Sequence, residues 1–105
     1  MTDFKKEIIN IYHLRPTSEG NKHMPNYDVS TAFVIAASSP EDARIMAQQA
    51  GGDETRLSQL TGIDYAFGED DTIPFWTDVR YSDCKIIGIS TSKIVEIIAN
   101  VFNAG

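Results

Sequence analysis

The sequence predicts an α+β fold: an antiparallel sheet of about four strands in ββαββ order, with one main helix and a long acidic irregular excursion. Three observations carry this. Glu7–Arg15 and Tyr27–Ser38 are β-branched, apolar runs separated by a turn-rich stretch. Ser39-Pro40-Glu41-Asp42 has the chemistry of a helix start, and Gly51-Gly52 that of a helix stop. Beyond an aperiodic middle, Cys84–Ser90 and Ile94–Phe102 are again short β-branched runs. The whole chain, 1–105, reads as a single domain, long enough to bury a core without disulfides or metal.

The first strand, Glu7–Arg15, stops at Pro16, and Thr17–Asn26 is rich in Ser, Gly, Asn and Pro, the composition of a hairpin tip or extended loop. Tyr27–Ser38 places Val29, Thr31, Phe33, Ile35 and Ala37 on one face and Ser30, Ala32, Val34 and Ala36 on the other. A strand apolar on both faces belongs in the middle of a sheet. Ser39 then caps a helix with Pro40 at its first position and Glu41 and Asp42 at the positive end of its dipole. Ala43, Met46, Ala47 and Ala50 recur at helical spacing, with Ile45 on the flank, and the small side chains allow a close approach to a sheet. Asp53–Gly62 suits a second short helix with Leu57 and Leu60 inward, after which no period holds as far as Arg80. Cys84–Ser90 is a strand. Ile94, Ile97, Ile98 and Val101 fit a helix, and the same segment fits a strand by its β-branching; the short turn Ser90–Lys93 after a strand favours a hairpin.

Charge bounds the function. The net charge is −6, which argues against a nucleic-acid binder and against docking on anionic lipid. Residues 53–80 hold seven acids and two arginines, so nearly all of the imbalance sits in the one stretch without periodicity. The longest apolar run, Ala32–Ala37, is far too short to cross a bilayer, and Met1–Glu7 has no apolar core of a signal peptide. The single Cys84 excludes an internal disulfide and suits a reduced, cytoplasmic compartment.

Several motifs occur in a characteristic order: Tyr27-Asp28 opening a strand, Ala36-Ala37-Ser38-Ser39-Pro40-Glu41-Asp42-Ala43-Arg44 turning strand into helix, Trp76 ahead of Cys84-Lys85-Ile86-Ile87-Gly88, and the ending Phe102-Asn103-Ala104-Gly105. From Tyr27 onward the chain resembles a group of small proteins encoded in bacteriophage and prophage genomes. It departs from that group in its long acidic middle and at Ile94–Glu96, where the group tends to have Pro or Gly. The resemblance implies a phage origin and a terminal strand at Ile97–Phe102. It carries no chemistry.

No catalytic, metal-ligating or cofactor-binding set emerges from the residues. Cys84 at the head of an apolar strand has only His13 and His23 as conceivable bases, and a small buried hydrophobe is the simpler reading. Glu69-Asp70-Asp71 lacks the alternation and glycine of a calcium loop. Binding signals are better: Asp64, Tyr65, Glu69, Asp70, Asp71, Phe75 and Trp76 combine acids with aromatic anchors and form the expected partner surface. The competing reading is that Phe75 and Trp76 plug the open end of the core. The second sheet face stays uncovered unless residues 53–80 cover it, so a homodimer through that face or an edge strand is expected. The function expected is therefore non-enzymatic: a phage accessory protein that binds and inhibits a host protein, an anti-defence (anti-CRISPR-like) role being the most concrete form. One alternative is a nucleotide-signal sponge using Lys5, Lys6, Arg15 and Lys22. Another is a small hydrolase using Asp70 or Asp71.

Overall fold

A computed structural model describes residues 8–56, 59 and 71–104 of the chain. Its elements are β1 (Asn10–Pro16), α1 (Ser18–His23), β2 (Val29–Ala37), α2 (Pro40–Ala50), a 3-10 turn at Asp53–Thr55, β3 (Ser82–Ile89) and β4 (Glu96–Asn103). The four strands form one antiparallel sheet in the order β3-β1-β2-β4, with α2 as the main helix. The α+β architecture is thus the one the sequence predicts.

β1 and β2 are the central pair, with Asn10 opposite Ala37 and Leu14 opposite Phe33. Residues directly opposite share a face, and one face carries Tyr12, Leu14, Phe33, Ile35 and Ala37 into the core. α2 lies on this face. Ser39 Oγ accepts a hydrogen bond from Asp42 N at 3.1 Å, Pro40 opens the first turn, and Gly51 closes the helix. Ala43 and Ala47 are completely buried against the sheet, where larger side chains would hold the helix off.

The edges depart from expectation. β3 and β4 do not form a hairpin: β3 pairs with β1 and β4 with β2, at opposite edges of the sheet. The connection, residues 90–95, crosses two strands, about 14 Å at ordinary strand spacing, which six extended residues span. Ser90 N donates to Ile9 O at 2.8 Å and starts the crossing. β2, apolar on both faces, needs an outer neighbour besides β1, and that demand outweighs the local turn signal. Register shifts leave Ile87 of β3, Thr31 of β2 and Ile98 of β4 without an opposite residue, the signature of β-bulges.

Thr17–Asn26 also differs from the loop expected, since Ser18–His23 is a short helix. Thr17 Oγ1 accepts from Gly20 N at 3.0 Å and donates to Arg80 O, while Thr17 N donates to Tyr81 O at 3.0 Å. The helix exists because its first turn is tied to a distant segment. Of the helix expected over Asp53–Gly62, the 3-10 turn Asp53–Thr55 is present; Leu57 and Leu60 lie outside the described residues.

Candidate functional site

The residues expected to bind a partner divide into three groups. Asp64, Tyr65, Glu69 and Asp70 lie outside the described residues. Asp71 is exposed and lines a cleft of about 490 Å³ with Gln48, Gly52, Arg56 and Thr72. Phe75 and Trp76 are both 0% exposed. They offer no surface to a partner, which corrects their assignment as interface anchors: they plug the core.

The plug is built from polar as well as apolar contacts. Trp76 meets Phe33 edge to face at 5.0 Å and Phe75 at 5.1 Å, and Phe75 stacks on Tyr81 at 6.0 Å. Arg44 and Gln48, one turn apart on α2, hold the backbone around them. Gln48 Nε2 donates to Ile73 O at 2.8 Å, and its Oε1 accepts from Trp76 N at 2.9 Å. Arg44 donates to Trp76 O and Ser82 Oγ, both at 3.0 Å, and to Ser82 O at 3.2 Å.

Glu54 completes the arrangement and carries no signal in the sequence. Its side chain is fully buried. It accepts from Trp76 Nε1 at 2.6 Å, Ser30 N at 2.9 Å and Gly52 N at 3.1 Å. Charge-assisted bonds from three N–H groups compensate a carboxylate taken out of water. One group thereby joins β2, the turn after α2 and the tryptophan.

These tethers fix the ends of the acidic excursion. Arg56 bridges Thr72 in antiparallel fashion, and Ile73 N donates to Thr55 O at 2.9 Å. Arg56 and Thr72, the paired described residues on either side of the acidic stretch, both line the cleft that contains Asp71. The described residues between 53 and 80 pack on the helix side and leave the second sheet face uncovered by any described helix.

That second face carries Ile11, His13 and Arg15 of β1, Ala32, Val34 and Ala36 of β2, Asp83 and Lys85 of β3, and Glu96, Ala99 and Val101 of β4. Cys84 lies opposite Leu14, on the helix side, whereas His13 lies opposite Lys85. Thiol and imidazole therefore project to opposite faces and form no nucleophile–base pair. Burial pushes the Cys84 thiol up from its ordinary value, against the opposing pull of Arg44, which keeps it a thiol. His23 sits on α1, 3.1 Å from Glu19 Oε2. Lys22 pairs with the same Glu19 at 3.2 Å, and Lys5 and Lys6 lie outside the described residues. Of the basic set expected from the N-terminal region, Arg15 alone is placed on the second face.

Among the described residues no group of three or more His, Cys, Asp or Glu stands close enough to hold a metal ion, and no helix is long and apolar enough to cross a membrane. No protein-family model, curated protein or solved structure matches the chain.

Proposed function

We propose that this chain is a non-enzymatic binding protein that docks on another protein and blocks it, as a phage accessory protein acting on a host defence complex would in the host cytoplasm. The observation that carries the reading is the closure of the acidic excursion. The Arg56–Thr72 bridge and the buried Phe75–Trp76 plug bring the described flanks of the acidic stretch to one point of the domain. Binding segments mounted on a rigid scaffold are a recurrent route to protein recognition. Asp64, Tyr65, Glu69, Asp70 and Asp71 are then the contact residues, with the buried aromatics as their support. The test is plaquing of a defence-sensitive phage on hosts that carry a CRISPR effector, with and without expression of the chain. Rescue of plaquing, lost in an Asp64→Asn, Glu69→Gln, Asp70→Asn, Asp71→Asn variant of unchanged melting temperature, is the expected result. No rescue across defended hosts, together with no host protein retained by the purified chain, rejects it.

The working form in this reading is a homodimer in which the β4 edges of two copies pair. β4 runs eight residues with its outer edge unpaired by any described strand, and it contains neither Lys nor Pro, the usual guards of an edge. Ile98, Val101 and Phe102 are each about half exposed. Lys93 and Glu96 balance each other, so the strand is the neutral approach to an otherwise acidic molecule. Light scattering after size exclusion should give twice the monomer mass at micromolar concentration, and Val101→Pro should give the monomer. A wild-type monomer rejects the dimer and leaves the docking segment standing.

A further inference from the structure

The described residues include seven lysines and arginines. Lys22, Arg56 and Arg80 pair with Glu19, Asp53 and Asp78, and Arg44 spends three of its N–H donors on Trp76 and Ser82. Arg15, Lys85 and Lys93 are exposed and make no side-chain hydrogen bond or ion pair among the described residues. Of these, Arg15 and Lys85 lie on the same sheet face beside His13. Asp83 stands opposite Arg15 across the strands, yet no ion pair joins them. In a chain with fifteen acids and nine bases, a place where Arg15, Arg44 and Lys85 outnumber the one acid beside them, Asp83, is a departure that mutual repulsion opposes.

They converge on a cleft. A cavity of about 610 Å³ at the β3 edge is lined by His13, Arg15, Arg44 and Lys85, by the single acid Asp83 and by Cys84, with Ile87 and Val79 supplying apolar wall. That volume falls in the range of about 300–1,000 Å³ typical of small-molecule sites. We propose that this cleft binds a small phosphorylated ligand of nucleotide size. Arg15 and Lys85 supply the charge, and a guanidinium forks onto phosphate oxygens where an ammonium acts as a point charge. His13 offers a ring N–H in either tautomer. The apolar wall accommodates the uncharged part of the ligand. A long nucleic acid would carry its remaining phosphates over an acidic surface, which favours a compact ligand.

Calorimetric titration of the full chain at low salt tests this with inorganic pyrophosphate and with the mono-, di- and triphosphates of adenosine and guanosine. Saturable binding with Kd below about 1 mM is expected, weakened about tenfold by Arg15→Gln and by Lys85→Gln, the loss of one charge-assisted contact each. Lys93→Gln, a cation outside the cleft, should leave binding unchanged. Nucleotides binding tighter than pyrophosphate places the base on the Ile87–Val79 wall, and equal affinity makes the site a phosphate site alone; both support the proposal. No saturable heat with any probe overturns it, as does Lys93→Gln weakening binding as much as Lys85→Gln. Tighter binding of a twenty-nucleotide single-stranded DNA than of any nucleotide also overturns it, in favour of a nucleic-acid surface.

Discussion

Glu54 and Ser30 occupy the same corner of the core and carry opposite energetic signs. Glu54 satisfies N–H donors from three segments. Glu54→Gln replaces one acceptor oxygen with an NH2 that faces donors, and about 2–4 kcal/mol of stability should be lost, read by urea titration. Ser30 is equally buried, but its hydroxyl makes no hydrogen bond. Ser30→Ala removes a desolvated group of nearly the same size and should raise stability by about 1 kcal/mol, a melting-temperature shift of several degrees. A fall in stability would mean that the hydroxyl has a partner. Neither residue was legible in the sequence. A Glu in an Asp-Glu-Thr turn resembles any solvated acid, and its burial depends on where Trp76, twenty-two positions away, comes to rest.

Among the elements, α2 and β2 were the most legible, because their signals are local. Ser39-Pro40-Glu41-Asp42 and Gly51-Gly52 punctuate the helix where the structure has it, and the two-faced apolarity of β2 matches its interior place in the sheet. α1 was not legible. Gly20 and Asn21 weaken an isolated helix, and this one is held by Thr17 and the Tyr81 carbonyl. A Cβ on Gly20 would collide with that carbonyl, so Gly20→Ala should detach α1 from the 80–81 segment. Chemical-shift changes in Thr17, Arg80 and Tyr81 with α2 undisturbed are the expected readout. The same turn has an acid limb. Asp78 is held below the ordinary carboxylate range, first by the Arg80 side-chain hydrogen bond and against a desolvation cost. Its contribution is therefore present above the usual Asp value and lost as pH falls through the lowered one. Asp78→Asn should flatten the pH dependence of stability in that acid window and nowhere above it.

At the scale of the whole molecule, the class was legible and the strand order was not. Periodicity identifies strands, whereas neighbour choice is settled by which strands need cover on both sides, and β2 claims the centre for that reason. Hydrogen exchange should report the result. Amides of β1 and β2, paired on both flanks, should exchange at the slow, global limit. Under the proposed dimer, those of β4 should exchange faster in the Val101→Pro variant than in the wild-type chain. The candidate region lies mostly outside the described residues and is described at its flanks, where Arg56 and Thr72 pair. It was illegible in its aromatics: in an aperiodic segment nothing local separates a surface tryptophan from a buried one. The discriminating signal lay on another element, in Arg44 and Gln48 spaced one turn apart along the flank of α2.

The crossover between β3 and β4 also sets a timetable. Both outer strands of the sheet come from residues 82–103, after the central strands, the helix and the core plug have been made. During synthesis at about 5–20 residues per second, those twenty-two residues take roughly one to four seconds. For that interval the β1–β2 pair has an unpaired edge on each outer side, the condition under which strands recruit other chains. The nascent chain is therefore most exposed to aggregation while residues 82–103 are being made, and slowing elongation across codons 82–103 should lower soluble yield more than slowing it across codons 10–37.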